Sequence, residues 1–163
     1  MKKLILATVL AASFSAQAAP EIIYNQGIFT LVKFSDEFTE KVTSCQLNIG
    51  EFARDKPRIS LFSKPTKNFE AIGLAGSVGN YSGSGYQIKI DDGEMIQKGR
   101  TRPGGDATYG VADASMLNNI VNGNKLILRV HPDNQFVDTE TEVYSLKGSS
   151  TAIDKFKSCL SGS

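Results

Sequence analysis

The chain has 163 residues, 18 of them Lys or Arg against 17 Asp or Glu, and 40% are hydrophobic. That length and apolar content suit one domain with a buried core. The near balance of charge argues against broad nucleic-acid binding, which needs a clustered basic face, and against simple electrostatic adsorption to a membrane.

Lys2 and Lys3 open the chain, Leu4 to Phe14 is an apolar run broken only by Thr8 and Ser13, and Ala16-Gln17-Ala18 is an A-x-A site. These are the three parts of a secretory signal. Cleavage is expected between Ala18 and Ala19; one residue later it would leave Pro20 at the N-terminus. The run is too short for a bilayer-spanning helix, which needs ~20 residues. No Cys follows it to carry a lipid anchor, and no later stretch is long and apolar enough to span. The expectation is a bacterial protein of the periplasm or the medium, with 1–18 as the leader and 19–163 as one β-rich domain. Without Lys2 and Lys3 the count becomes 16 basic against 17 acidic residues, a net charge of about −1.

Glu21 to Gly27 reads as a lead-in. Residues 28–34 are β-branched and aromatic, a strand signature, and Ser35-Asp36-Glu37 ends them. Residues 42–49 alternate, so that Cys45, Leu47 and Ile49 share the face turned to the core. Residues 57–62 form another short strand and 72–78 a further one, weakened by its glycines. Asn80 to Gly85 is a turn cluster. Residues 86–90 alternate again, and Asp92-Gly93 predicts a tight type I′ hairpin returning through Glu94 to Lys98. Residues 100–106 are a loop. Residues 113–121 are a short helix with Asp113 as N-cap and Met116, Leu117, Ile120 and Val121 on one apolar face. Asn122-Gly123 ends it in the usual glycine manner. Residues 125–130 and 142–146 are strands. A final helix, capped by Ser149 or Ser150, carries Ile153, Phe156 and Leu160 with Cys159 beside them. Short strands at near-regular spacing with two short helices predict a mainly β fold, an antiparallel sandwich or barrel-like single domain.

The cysteines are Cys45 and Cys159. Export places them in an oxidising compartment, and one pairing is possible. The expected disulfide ties the C-terminal helix to the sheet. A closed loop of ~100 residues is worth up to ~4.7 kcal/mol in the chain-entropy model. Their separation, without a C-x-x-C, argues against a redox pair or a metal site.

The C-terminal two-thirds carries a pattern. A strand ends in Lys89-Ile90-Asp91-Asp92-Gly93, a short helix follows, and then Asn122-Gly123-Asn124-Lys125 leads into Leu126 to Val130. The chain closes with Tyr144-Ser145-Leu146-Lys147-Gly148 and runs on to Phe156. This resembles the invasion-associated locus B family of exported bacterial proteins, which has a "kIDg" strand end, a glycine-lysine strand start and an "SLKGF…A" run into a terminal helix. Ser149 stands where that pattern has an aromatic residue, and the N-terminal part does not match it. The resemblance covers roughly half of the mature chain. It implies a β-sandwich-like exported domain with a role at the envelope or in contact with another cell, and it carries over no catalytic residues.

His131 is the one histidine. It could act as a general base with a carboxylate, but one histidine does not make the usual zinc site, and no G-x-S-x-G elbow accompanies it. Asp91, Asp92 and Glu94 do not have the spacing of a calcium loop, and the Asp-Gly turn accounts for them. Arg100 and Arg102, before Pro103-Gly104-Gly105 and near Lys98, could hold a carboxylate or phosphate. Tyr81, Tyr86 and Tyr109 beside glycine-rich turns suit protein contact; Arg100, Arg102, Tyr86 and Tyr109 are therefore the candidate binding residues. Asp138, Glu140 and Glu142, with Asp133 nearby, would line one face of a strand, as on a solvent face or guarded sheet edge, or meet a basic partner. The expectation is a non-enzymatic exported binding protein whose partner is another protein, with no cofactor, metal or nucleic acid. The alternatives are a periplasmic inhibitor or immunity protein that plugs a toxin or lysozyme site with Ser84-Gly85-Tyr86 or the Arg100–Arg102 loop, and a hydrolase using His131.

Overall fold

The structure, a computed structural model, describes residues 19–65, 72–79, 81–98 and 109–161. In chain order they form β1 (Ala19–Gln26), β2 (Phe29–Ser35), β3 (Val42–Ile49), β4 (Pro57–Ser63), β5 (Ile72–Val78), β6 (Tyr81–Ile90), β7 (Ile96–Lys98), β8 (Tyr109–Ala112), α1 (Ala114–Asn122), β9 (Lys125–Pro132), β10 (Glu140–Ser145) and α2 (Ser149–Ser161). Alternation sets most of these strands. β5 buries every second residue from Ile72 to Val78, and β9 buries Leu126, Leu128 and Val130 between half-buried or exposed neighbours, as a strand with one face on the core must.

Every strand pair is antiparallel. The hydrogen-bonded path runs β1-β2-β3-β4-β5-β6-β9-β10, with β7 beside β6 and β8 beside β5. The path folds over at β6. Tyr81 and Ser82 pair with β5, whereas the strand from Gly83 onward pairs with β9, across an irregularity between Gly83 and Gly85. Glycine makes this corner possible. A Cβ at Gly83 would lie 2.5 Å from the Val130 side chain, and one at Gly76 would lie 2.5 Å from the Tyr86 ring. Glycines and bulges at fixed positions are how sheets curve.

The two leaves enclose one core. Leu47, Leu61 and Leu74 come from the first leaf and Tyr86, Ile88 and Leu128 from the second, all without solvent exposure. The Tyr144 hydroxyl of β10 donates to the Pro57 carbonyl of β4 at 2.7 Å, joining the leaves at one edge. α2 lies across β2 and β3 and buries Ile153, Phe156 and Leu160. Cys159 on α2 and Cys45 on β3 form a disulfide with Cα atoms 6.3 Å apart, closing a separation of 114 residues. The expected mainly β fold with a disulfide-tied terminal helix is therefore observed.

Several local expectations need correction. All of the lead-in but Gly27 belongs to β1, which begins at Ala19 and pairs along its length with β2; its exposed residues hid it. Within the expected turn cluster, Tyr81 to Gly85 is strand, because the small residues there let β6 bend and pack rather than reverse. The tight reversal sits one residue earlier than expected: Gly93 N–H donates to Ile90 O, and Asp91 takes the positive φ of 49°. The chain pairs with β6 again only at Ile96, so Asp92-Gly93 is part of a longer loop. Gly123 follows α1 in extended conformation, φ −79° and ψ 163°, so its role is steric. A Cβ there would lie 2.5 Å from the Ile90 side chain. Asp113 does cap α1, accepting from Met116 N–H at 2.8 Å.

Candidate binding face

The same alternation that sends Cys45, Leu47 and Ile49 inward turns Ser44, Gln46 and Asn48 of β3 outward, and it does the same for Arg58, Ser60 and Phe62 of β4. Antiparallel register lines these residues up in rows across the leaf. Gln46 stands opposite Phe62, and Phe62 opposite Gly73; Asn48 stands opposite Ser60, and Ser60 opposite Ala75; Arg58 stands opposite Ser77, and Ser77 opposite Ser82. Together with Phe34 and Phe52 they line an open trough of about 410 Å³, within the range of small-molecule sites.

The floor is a polar network. Asn48 and Ser60 are 2% and 7% exposed, so their polar atoms need partners. Ser60 Oγ donates to Asn48 Oδ1 at 2.6 Å, Gln46 Nε2 donates to the same oxygen at 2.8 Å and to Ser60 Oγ at 3.3 Å, and Asn48 Nδ2 donates to Thr30 O at 3.4 Å. The arrangement fixes both amides without help from a ligand and leaves Gln46 Oε1 as an acceptor at the trough.

Aromatic rings frame this floor. Phe62 lies over Gly73, where a Cβ would come within 2.4 Å of the ring; glycine thus leaves the seat for an aromatic group flat on the sheet. At the other end Arg58 stacks over Phe52, 4.6 Å from the ring centroid, a cation–π contact, and donates to the Gly79 carbonyl. Burial of the Arg58 guanidinium works against its charge and pulls it below its ordinary value. Among the described residues it forms no ion pair; the three pairs there are Lys33–Glu21, Lys56–Glu142 and Lys125–Asp92. A half-buried guanidinium with no ion pair among the described residues has the chemistry to receive an anion.

Of the candidate binding residues, Tyr86 is the one whose side chain is described, and it does not line this trough. Tyr86 is corrected: its ring is fully buried between the leaves and its hydroxyl donates to Leu74 O at 3.4 Å, so burial pushes its phenol well above the ordinary value. It is a core residue, and the Ser84-Gly85-Tyr86 segment is mid-strand rather than a protruding plug. Tyr109 begins β8, with its backbone opposite Ala75, at the margin of the trough. Arg100 and Arg102 lie outside the described residues. Tyr81 accepts from Arg54 at 2.6 Å under a cation–π contact. His131 Nδ1 is 3.1 Å from the Thr139 hydroxyl. Asp91 accepts from the backbone N–H groups of Asn124 and Lys125, which hold its carboxyl below the usual carboxylate range. Asp133 and Asp138 are exposed and precede β10, whereas Glu140 and Glu142 share a face with buried Tyr144 and Glu142 pairs with Lys56, so only the strand part of the row is turned from solvent. The signal that could have found the trough is the outward half of each strand: Ser-Gln-Asn on β3 and Arg-Ser-Phe on β4 are unusually rich in amide, hydroxyl and aromatic groups for a solvent face.

No family model matches the chain, and no curated protein matches it in sequence. Solved structures do. The fold is similar to that of invasion associated protein B from Bartonella henselae. The superposition covers 86% of this chain and 97% of that one, with a TM-score of 0.51 and 13% identity. At that identity the likeness is one of fold. Among the described residues no helix is long and apolar enough to cross a membrane.

Proposed function

We propose that this chain is an exported binding protein of the bacterial envelope, which holds its ligand on the outer face of the β2–β6 leaf by contact and without chemistry of its own. The observation that carries the reading is the trough itself: Arg58 stacked on Phe52 at one end with no ion pair among the described residues, Phe34 and Phe62 at the other, over amides already oriented by their own hydrogen bonds. Such a surface is preorganised, so little ordering is lost on binding. The N-terminal leader pattern and the disulfide support export, and the likeness in fold to an invasion-associated protein supports a place at the cell boundary. The lone histidine is engaged by Thr139 and stands apart from the trough, which favours binding over hydrolysis.

Two measurements test this. Expressed from its full sequence in a bacterium, the protein should be recovered from the periplasm or medium starting at Ala19 and with no free thiol; uncut protein in the cytosol would overturn the export half. The purified mature chain should be retained by cell-envelope material, and Ala75→Leu, which fills the trough, should release it. Equal retention of both forms would move the binding site off this face.

A further inference from the structure

We infer that the occupant of the trough is a saccharide bearing a carboxylate, held by Arg58 through the acid and by the phenylalanines through the sugar ring; the inference rests on the binding role proposed above. The sequence pointed to a protein partner, but the chemistry of the face points elsewhere. A peptide strand binds along a sheet edge, where backbone N–H and C=O groups are unpaired. This trough lies on the face of central strands whose backbone groups are already bound to their neighbours. What the face offers is side chains alone.

Those side chains match a sugar. A pyranose has a face of C–H groups that packs on an aromatic ring and a rim of hydroxyls, each both donor and acceptor. Phe34 and Phe62 stand at one end of the trough and Phe52 at the other. Gln46 Oε1 is an acceptor, and the hydroxyls of Ser44, Ser77 and Ser82 can both donate and accept. The floor amides cannot rotate away because Asn48 and Ser60 lock them. A lipid chain would have to lie on this polar floor and leave it without water, which costs the unpaired groups their hydration. A nucleic acid would need several phosphate contacts, and among the described residues the trough holds one cation, Arg58.

The carboxylate follows from Arg58. One guanidinium nitrogen is taken by the Gly79 carbonyl. The remaining N–H groups form a planar fork suited to a carboxylate. Partial burial strengthens such a contact, because water screens it less. Another cleft, beneath α2 and lined by Lys33, Lys155 and Cys159, also carries positive charge, but Lys33 is already paired with Glu21 and Lys155 sits over the Tyr24 ring.

The test is calorimetric titration of the mature protein with a uronate oligosaccharide, its carboxyl-reduced counterpart and a neutral oligosaccharide of equal length, with amide shifts of Gln46 and Asn48 followed by NMR. The uronate should bind and shift both amides. Reducing its carboxyls should weaken binding about tenfold or more, the worth of a bidentate charge-assisted pair. Arg58→Gln should erase that difference while retaining residual binding of the reduced sugar, and Ala75→Leu should abolish both. Equal binding of acid and reduced sugar, or no amide shift with any of them, overturns the inference. If envelope material is still retained in an Ala75-dependent way when no sugar binds, the binding role survives and the saccharide does not.

Discussion

At Gly79 the backbone has a φ of 54°, and a Cβ would come 1.7 Å from the Arg54 carbonyl oxygen. No side chain fits there, and the same residue's carbonyl anchors Arg58. Gly79→Ala is expected to cost about 2–3 kcal/mol in urea denaturation and to weaken ligand retention as well, since Arg58 loses its anchor. Tyr86 behaves oppositely to a surface tyrosine. Tyr86→Ala should cost about 3–5 kcal/mol, as for other large aromatic truncations in cores, whereas Tyr86→Phe should lose only about 1 kcal/mol with its single hydrogen bond. Asp91 gives a pH signature. Its carboxyl titrates below the ordinary value of 3.8 because it accepts backbone N–H groups at the start of β9. A depressed folded-state value stabilises the protein above the unfolded value, and that contribution is lost as pH falls through the folded one. Asp91→Asn keeps an acceptor and tolerates the positive φ, so it removes only the charge. It should lower Tm at neutral pH, and the gap from the parent protein should close as the pH is taken below 3.8. A gap constant across that range would refute the assignment.

Among the elements, α2 depends most on a link that lies far off in the chain. It packs on β2 and β3 and is bolted by Cys159 to Cys45. Replacing both cysteines by serine should cost about 2–5 kcal/mol. The loss should show first as faster amide exchange in α2, because a helix of 13 residues is marginal without its packing. Exchange that quickens uniformly over all strands would mean that the bond constrains only the unfolded chain. α1 and α2 were both legible in the sequence, since a capping Asp113 and apolar residues at helical spacing are local signals. β3, β4 and β5 were legible for the same reason: each alternates by itself. β1 was not, because its isoleucines are largely exposed and do not alternate, so it acquires its identity only from pairing with β2.

The whole molecule turns on the corner in β6. Gly83 lies against Val130, and Gly76 lies under Tyr86. Gly83→Val should prevent the second leaf from closing on the first, with loss of near-ultraviolet circular dichroism and binding of a hydrophobic dye while strand content persists; an unchanged near-ultraviolet spectrum would show that the corner can relax elsewhere. Neither this corner nor the trough could be read from residues in order. Tyr81 to Gly85 has turn composition, and only the register of β6 against both β5 and β9 shows it bridging two leaves. The trough is assembled from β2 to β6 and the β3–β4 loop, residues up to 48 positions apart, each unremarkable within its own strand. By itself the sequence determined the inward-facing half of the central strands, both helices and the disulfide, because period, caps and a single possible cysteine pairing are written locally or by elimination. The tertiary structure alone decided which outward side chains meet, that Arg58 has no counter-ion among the described residues and that Tyr86 is core. Those properties depend on neighbours across the sheet, and register between strands is settled only when the whole core packs.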